Sequence, residues 1–232
     1  MLNYLTINIL IIIFPLLFSF EKRIRFYRNF KPLFLSILIV GSSYVIWDAV
    51  ATYRGDWWFN HDYVMDFEIL GLPLEEVLFF ITAPYSCIFI YEALLYFFKD
   101  KKLDINVRIF LIPFVLFIVT GAMFYTQYYT STVLLSCALF FLLAVFIFPQ
   151  ILRSRIYWLY ITIVFIPFFV MNYLLTSIPI VRYNSDAIWN VRITTIPVED
   201  FFYNFAMLSF YLLFYLYFKG RFQKSSGTPS SA

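Results

Sequence analysis

Charge is scarce in this chain: Asp, Glu, Lys and Arg together make up 13% of its 232 residues. Soluble domains carry about a quarter. With 62% apolar residues besides, the composition excludes a water-soluble globular domain and points to a polytopic membrane protein. Histidine occurs once, at His61, which excludes a multi-histidine metal centre. The two cysteines, Cys87 and Cys137, both fall in apolar runs and offer neither a disulfide framework nor a metal-ligand spacing. Glycine occurs six times and never as Gly-x-Gly-x-x-Gly or another phosphate-cradling loop, so no dinucleotide cofactor is expected. No metal and no nucleic-acid partner is expected either. What is abundant is aromatic surface, with 31 Phe and 19 Tyr.

A bilayer asks for about 20 apolar residues per helix. Seven stretches meet that length: Leu2–Phe20, Leu33–Val50, Pro73–Phe98, Val107–Tyr125, Thr130–Pro149, Ile156–Thr176 and Pro197–Phe218. The first lacks a basic start and a small-residue cleavage site, so it reads as a retained helix and not a signal peptide. Pro84 and Pro167 predict kinks in the third and sixth. Of the 17 Lys and Arg, 14 fall in alternate loops and the tail, leaving Arg54, Arg182 and Arg192 on the other side. That bias predicts an outside N-terminus and a cytoplasmic C-terminus in a cell membrane. Glu92, deep in the third segment, is expected to snorkel towards the basic side.

Acids cluster at the opposite boundary. Two short motifs stand out there: Pro73-Leu74-Glu75-Glu76 and Pro197-Val198-Glu199-Asp200, each heading a long apolar run. Proline followed by acids is a common helix start, favoured by the helix dipole. Their recurrence says more. A shift of 124 residues superposes Tyr44–Leu95 on Phe168–Lys219 without a gap, matching Thr52 with Thr176, Asn60 with Asn184, Asp62 with Asp186, Pro73 with Pro197 and Glu75 with Glu199. Asp48 meets its amide analogue Asn172, and Glu76 meets Asp200. The expected architecture is all-α: two parallel three-helix repeats (1–99 and 128–220), a linking fourth helix (100–127) and a disordered tail (221–232). A pseudo-two-fold along the membrane normal then sets both motifs at one depth across a central cleft.

The ordered pattern of Asp48, Thr52-Tyr53-Arg54, Trp57-Trp58-Phe59 and Pro73-x-Glu75-Glu76 with Phe79-Phe80 resembles the membrane-integral, flavin-free lycopene cyclases. Its second half, Asn172, Leu175-Thr176, Arg192 and Pro197-x-Glu199-Asp200 with Tyr203, resembles the same family in its tandem-fused form. The resemblance covers roughly residues 2–219. It implies an isomerase of carotenoid biosynthesis that closes the acyclic ends of lycopene into β-rings, giving γ-carotene and then β-carotene. Its implied partners are lycopene or a related acyclic carotenoid, membrane lipid, and other enzymes of the same pathway.

Ring closure begins with a proton added to the terminal alkene and ends with a proton lost from the ring. It needs a neutral carboxylic acid, a dry aromatic pocket for the cation, and a base. Apolar surroundings favour the neutral form of a carboxyl, whereas a helix N-terminus favours the anion, so burial has to prevail. Candidate catalytic residues are Glu75, Glu199, Glu76 and Asp200. Neighbouring acids point about a third of a turn apart, so one of each pair aims at the cleft, and the identical Glu75 and Glu199 are expected there. Asp48, Asn172, Arg54 and Arg192 are candidates for orienting them, although arginine pairing would hold the acids ionised. Phe79, Phe80, Phe202 and Tyr203 are expected to line the pocket. The competing readings are a carotenoid-binding or proton-coupled carrier using the same acids, and a metal-dependent prenyltransferase. The latter is poorly served, since Asp62 and Asp66 have the required spacing but Asn190 stands at the repeat position of Asp66.

Overall fold

Backbone that has no water to bond must close its hydrogen bonds internally, and helices do so. A computed structural model describes residues 3–225, and all seven expected stretches are helical in it. Helix α1 spans Tyr4–Phe18, opened by the Asn3 side chain, which accepts from the Thr6 N–H. The second stretch starts with a 3₁₀ turn at Phe26–Asn29. It continues through α2 (Phe30–Ser36), a π-helical turn at Ile37–Gly41 and α3 (Ser42–Arg54). Then come α4 (Leu74–Phe97), α5 (Leu111–Met123), α6 (Tyr128–Phe146), the short α7 (Pro149–Arg153), α8 (Arg155–Ser177) and α9 (Val198–Ser225).

Phe26–Arg54, α4, α6, α8 and α9 are long and apolar enough to cross a membrane, which makes this a multi-pass membrane protein; α1 and α5 are shorter apolar helices. Helix α9 runs on to Ser225, so the first five residues of the expected disordered tail are helical. Residues 226–232 of that tail, and Leu2 at the head of the expected first segment, lie outside the described residues.

Helices α1 and α4 pack together, as do their counterparts α6 and α9. The middle segments cross over: α2 packs on α9 and α8 on α4. Each repeat therefore completes the other. The prolines help to fix these contacts. A helix proline leaves the carbonyl four residues earlier without its N–H partner. Ser86 Oγ donates to the Ile11 carbonyl freed by Pro15, at 2.9 Å, and Tyr211 Oη donates to the Phe80 carbonyl freed by Pro84, at 2.8 Å. Glu92 does not snorkel. It accepts from Lys219 Nζ (2.6 Å), Tyr215 Oη (2.8 Å) and Asn29 Nδ2 (3.1 Å), so pairing inside the helix bundle replaces exposure.

At the end of the bundle that carries the acidic motifs, short strands repeat the helix symmetry. β1 (Trp57–Phe59) pairs antiparallel with β4 (Val181–Tyr183). β2 (Glu68–Ile69) pairs with β3 (Leu72–Pro73), and β5 (Arg192–Ile193) with β6 (Ile196–Pro197). The two hairpins stand in the same relation as the repeats. In the β1–β4 ladder Trp58 faces Arg182, its own repeat partner, so the local two-fold of the strand pair coincides with the axis relating the halves. Reciprocal bonds flank it: Asn60 N–H to the Ile180 carbonyl (2.9 Å) and Asn184 N–H to the Asp56 carbonyl (2.8 Å). Gly55, at φ 81°, ends α3 by donating to the Ala51 and Thr52 carbonyls and turns the chain back into β1.

Removing the Tyr211 hydroxyl orphans a buried carbonyl, which costs about 1–3 kcal/mol. Tyr211→Phe is expected to lower the unfolding midpoint in detergent, whereas Tyr217→Phe, a change at a more exposed position, leaves it unchanged.

Candidate active site

The hairpins decide which way each acid points. Both end in a proline, Pro73 or Pro197, directly before α4 or α9, and both put two acids in the first helical turn. The first acid of each pair turns back to its own loop. Glu75 Oε1 accepts from the Met65 N–H at 2.9 Å, and Glu199 Oε1 accepts from the Trp189 N–H at 2.6 Å. Met65 and Trp189 are repeat partners. Thr130 Oγ1 adds a 2.7 Å bond to Glu199. Glu75 and Glu199, expected in the cleft, are fully buried beneath the loops and do not line the cavity. Their identity between halves reflects a shared structural task.

The second acid of each pair faces inward. Glu76 and Asp200 both line a cavity of about 250 Å³ between α1, α4, α8 and α9. Asp48, Asn172, Phe79 and Tyr203 share its wall, as do Tyr4, Trp57, Tyr129 and Tyr183. Phe80 and Phe202 do not line it. Phe80 packs beside Tyr44, at 6.3 Å between ring centroids, and Phe202 faces Phe117 at 5.8 Å.

The two inward acids are held differently. Asp200 is surrounded by donors: Tyr129 Oη at 2.6 Å to Oδ1, and Tyr183 Oη at 2.8 Å and Asn172 Nδ2 at 2.9 Å to Oδ2. Burial and the neighbouring Asp200 push the Tyr183 phenol well above its ordinary range, so it remains a proton donor. Glu76 Oε2 accepts from Tyr4 Oη at 2.6 Å, and the carboxyl of Asp48 neighbours it in the cavity wall. Asp48 is itself held by Trp57 Nε1 at 2.7 Å and by Thr52 Oγ1 at 3.3 Å. Asn172 thus bonds its acid, and Asp48 lies beside Glu76 in the same wall.

The arginines lie elsewhere. Arg54 is ion-paired with Asp56 and lies 4.5 Å over the Tyr128 ring. Arg192 donates to the Thr195 carbonyl and lies 5.8 Å from the centre of the Tyr183 ring. Among the described residues no cation bonds either motif.

The tyrosines are the site residues that sequence reasoning missed. Tyr4 N–H bonds the Tyr63 carbonyl and Tyr129 N–H bonds the Ala187 carbonyl, at 3.0 and 3.1 Å, which sets the two phenols at equivalent places. Tyr63 and Ala187 are 124 residues apart, but Tyr4 and Tyr129 are 125 apart. A one-residue adjustment of the repeat before α6 was the signal that could have found them. A second apolar cluster, including Tyr4, Trp57, Leu72, Tyr129, Leu175 and Ile188, covers the acids from the loop end.

Replacing Glu75 or Glu199 by Leu strands a loop N–H and is expected to cost about 1–3 kcal/mol. Hydrogen exchange should then show faster exchange at the Met65 or Trp189 amide.

Comparison with known proteins gives one match. No curated protein and no solved structure is significantly similar to the chain. A family model described as lycopene cyclase matches residues 2–94 and again residues 126–218. The two matched segments carry one acidic motif each and together take in most of the sequence, so the chain belongs to the lycopene cyclase family, as a tandem of two copies.

Proposed function

We propose that this protein is a lycopene β-cyclase that closes the acyclic ends of lycopene by proton-initiated, redox-neutral isomerisation. The observation that carries the proposal is the meeting of two differently held carboxyls, Glu76 and Asp200, in one aromatic and aliphatic cavity inside a helix bundle.

The reaction needs what that cavity holds. A carboxyl proton adds to C2 of the terminal C1=C2 alkene and leaves a tertiary cation at C1. The C5=C6 bond attacks, forming the C1–C6 bond and moving the charge to C5. Loss of the C6 proton gives the β-ring. The cation must not meet water, and the apolar cluster over the acids keeps water away. Aromatic faces stabilise a cation by about 2 kcal/mol each when desolvated; Phe79, Trp57, Tyr129 and Tyr203 are the rings at hand. The chemistry needs no electron carrier, in keeping with an expected lack of cofactor. At about 250 Å³ the cavity is smaller than the roughly 300–1,000 Å³ that drug-sized ligands occupy. It suits one end of a carotenoid, with the rest of the molecule running into lipid. In this reading all seven helical segments cross the cell membrane, with the N-terminus outside, and the acids lie near the outer boundary.

The test is to make the chain in a lycopene-accumulating bacterium and analyse the pigments. Formation of γ-carotene and β-carotene is expected. Unchanged lycopene would favour the carotenoid-binding or proton-coupled carrier. Removing both inward carboxyls, Glu76→Gln with Asp200→Asn, is expected to lower conversion by about 100-fold or more.

A further inference from the structure

We propose that the two repeats form a single reaction centre with divided labour. The Asp48–Glu76 pair supplies the proton, Asp200 removes it, and the carotenoid chain enters along one side of the molecule only. The proposal rests on the cyclase reading.

The division follows from how the pseudo-symmetry breaks. Asp48 and Glu76 are neighbours in the cavity wall, and two neighbouring buried carboxyls oppose each other's ionisation, so one of them keeps a proton. Asp48 takes two donors, Trp57 Nε1 and Thr52 Oγ1, against one on Glu76, the Tyr4 phenol, so the anion is better held on Asp48 and the proton stays on Glu76. At the equivalent place in the second half, Asn172 stands instead of Asp48 and donates its amide to Asp200. Two phenols donate there as well. Three donors converge on Asp200, against one on Glu76, which is the surrounding of a carboxylate that can take a proton up. In the reaction the Glu76 O–H bond breaks as C2–H forms. Later the C6–H bond breaks, its electrons form the new C5=C6 bond, and Asp200 takes the proton. One proton enters and one leaves, so no co-reactant is consumed.

The entry side breaks the symmetry again. The α4 wall of the cavity is Ala83, Ser86, Cys87 and Ile90, at helical spacing, opposite α1 and α8. From Glu76 to Ile90 this trench extends about 21 Å at 1.5 Å per residue. Leu10 on its α1 side is 46% exposed, which marks where the trench meets the outer surface of the bundle. The repeat partners of the four α4 residues are Met207, Phe210, Tyr211 and Phe214. The corresponding space in the second half is filled: Tyr44 packs at 5.3 Å from Tyr203 and 6.5 Å from Tyr211, and Trp47 at 5.0 Å from Tyr203. The two ends of a carotenoid are therefore handled one after the other at one site.

The experiment compares the products of Glu76→Gln and Asp200→Asn in lycopene-accumulating cells, with the unfolding midpoint of each protein measured in detergent. Glu76→Gln is expected to leave lycopene unreacted, with conversion down about 100-fold or more. Asp200→Asn is expected to retain measurable conversion with a changed product. The cation then loses its proton at C4, giving an ε-ring, or is captured by water as a tertiary alcohol. Asp200→Glu restores the β-ring. Cys87→Tyr, which gives the trench the residue of the closed side, is expected to cut conversion at least tenfold without lowering the unfolding midpoint. Matching product profiles for Glu76→Gln and Asp200→Asn, including two blanks, overturn the division of labour, as does a reversal of the two. Wild-type conversion by Cys87→Tyr overturns the single trench. A wild type that leaves lycopene unchanged fails the cyclase reading itself, and this proposal with it.

Discussion

A carboxyl withdrawn from water has to find donors or a shared proton, and leaving it unpaired is costly. Several such groups sit at one end of this bundle, Asp48, Glu75, Glu76, Glu199 and Asp200 among them, and each takes at least one donor, while Oδ2 of Asp48 and Oε2 of Glu75 and of Glu199 take none. Glu75 and Glu199 take loop N–H groups, which holds each loop down over its helix start. Asp200 takes two phenols and an amide, drawn from α6, β4 and α8. Glu76 takes one phenol from α1 and has the Asp48 carboxyl of α3 beside it. Each solution recruits a different element, so satisfying the acids assembles the helices around the cavity. The β1–β4 ladder then joins the two loops on the pseudo-two-fold and closes the site from above.

Symmetry separates the structural tasks from the chemical ones. Three of the matched pairs hold backbone: Pro73 with Pro197 starts the helix, Glu75 with Glu199 ties the loop, and Asn60 with Asn184 bridges the loops. Three pairs that differ face the cavity or its filled counterpart. Asp48 against Asn172, Glu76 against Asp200 and Cys87 against Tyr211 are the instances. The proposed proton transfer requires a group that gives and a group that takes, and two identical half-sites would not supply that difference.

Much of this was legible in the chain. Apolar run length located all seven helical segments, and the 124-residue shift located the repeats and both motifs. The orientation of the acids was misread because identity between halves was taken as a sign of chemistry, and here identity marks loop anchoring. Neighbouring helical positions differ by about 100°, and only the hairpin that leads into each helix decides which acid turns to the loop. That depends on the Met65 and Trp189 amides, which no side-chain pattern announces. Glu92 was misread for a related reason. Its partners Lys219 and Tyr215 lie more than 120 positions away, and they meet it only because the crossed packing brings α9 beside α4. Phe80 and Phe202 share a motif with the acids but point into helix interfaces, since two adjacent aromatics cannot both face one cavity.

Crossed packing also bears on why the halves differ at all. Each middle segment packs on the third helix of the other repeat, so neither half can keep its buried surface alone. Two identical copies bound in this way would carry every substitution twice. Enlarging the residues that fill one side would then fill both, and trading Asp48 for an amide would remove a carboxyl from both sides. Joining the copies in one chain removes that coupling. α9 can fill its side with Tyr211, packed on Tyr44, while α4 keeps the small Ala83, Ser86 and Cys87 along the cavity. The filled side in turn gives the bundle a rigid aromatic wall against which the open side is formed, and the Tyr211 hydroxyl satisfies the carbonyl that Pro84 frees in the helix carrying Glu76. The closed half thus supports the geometry of the open one.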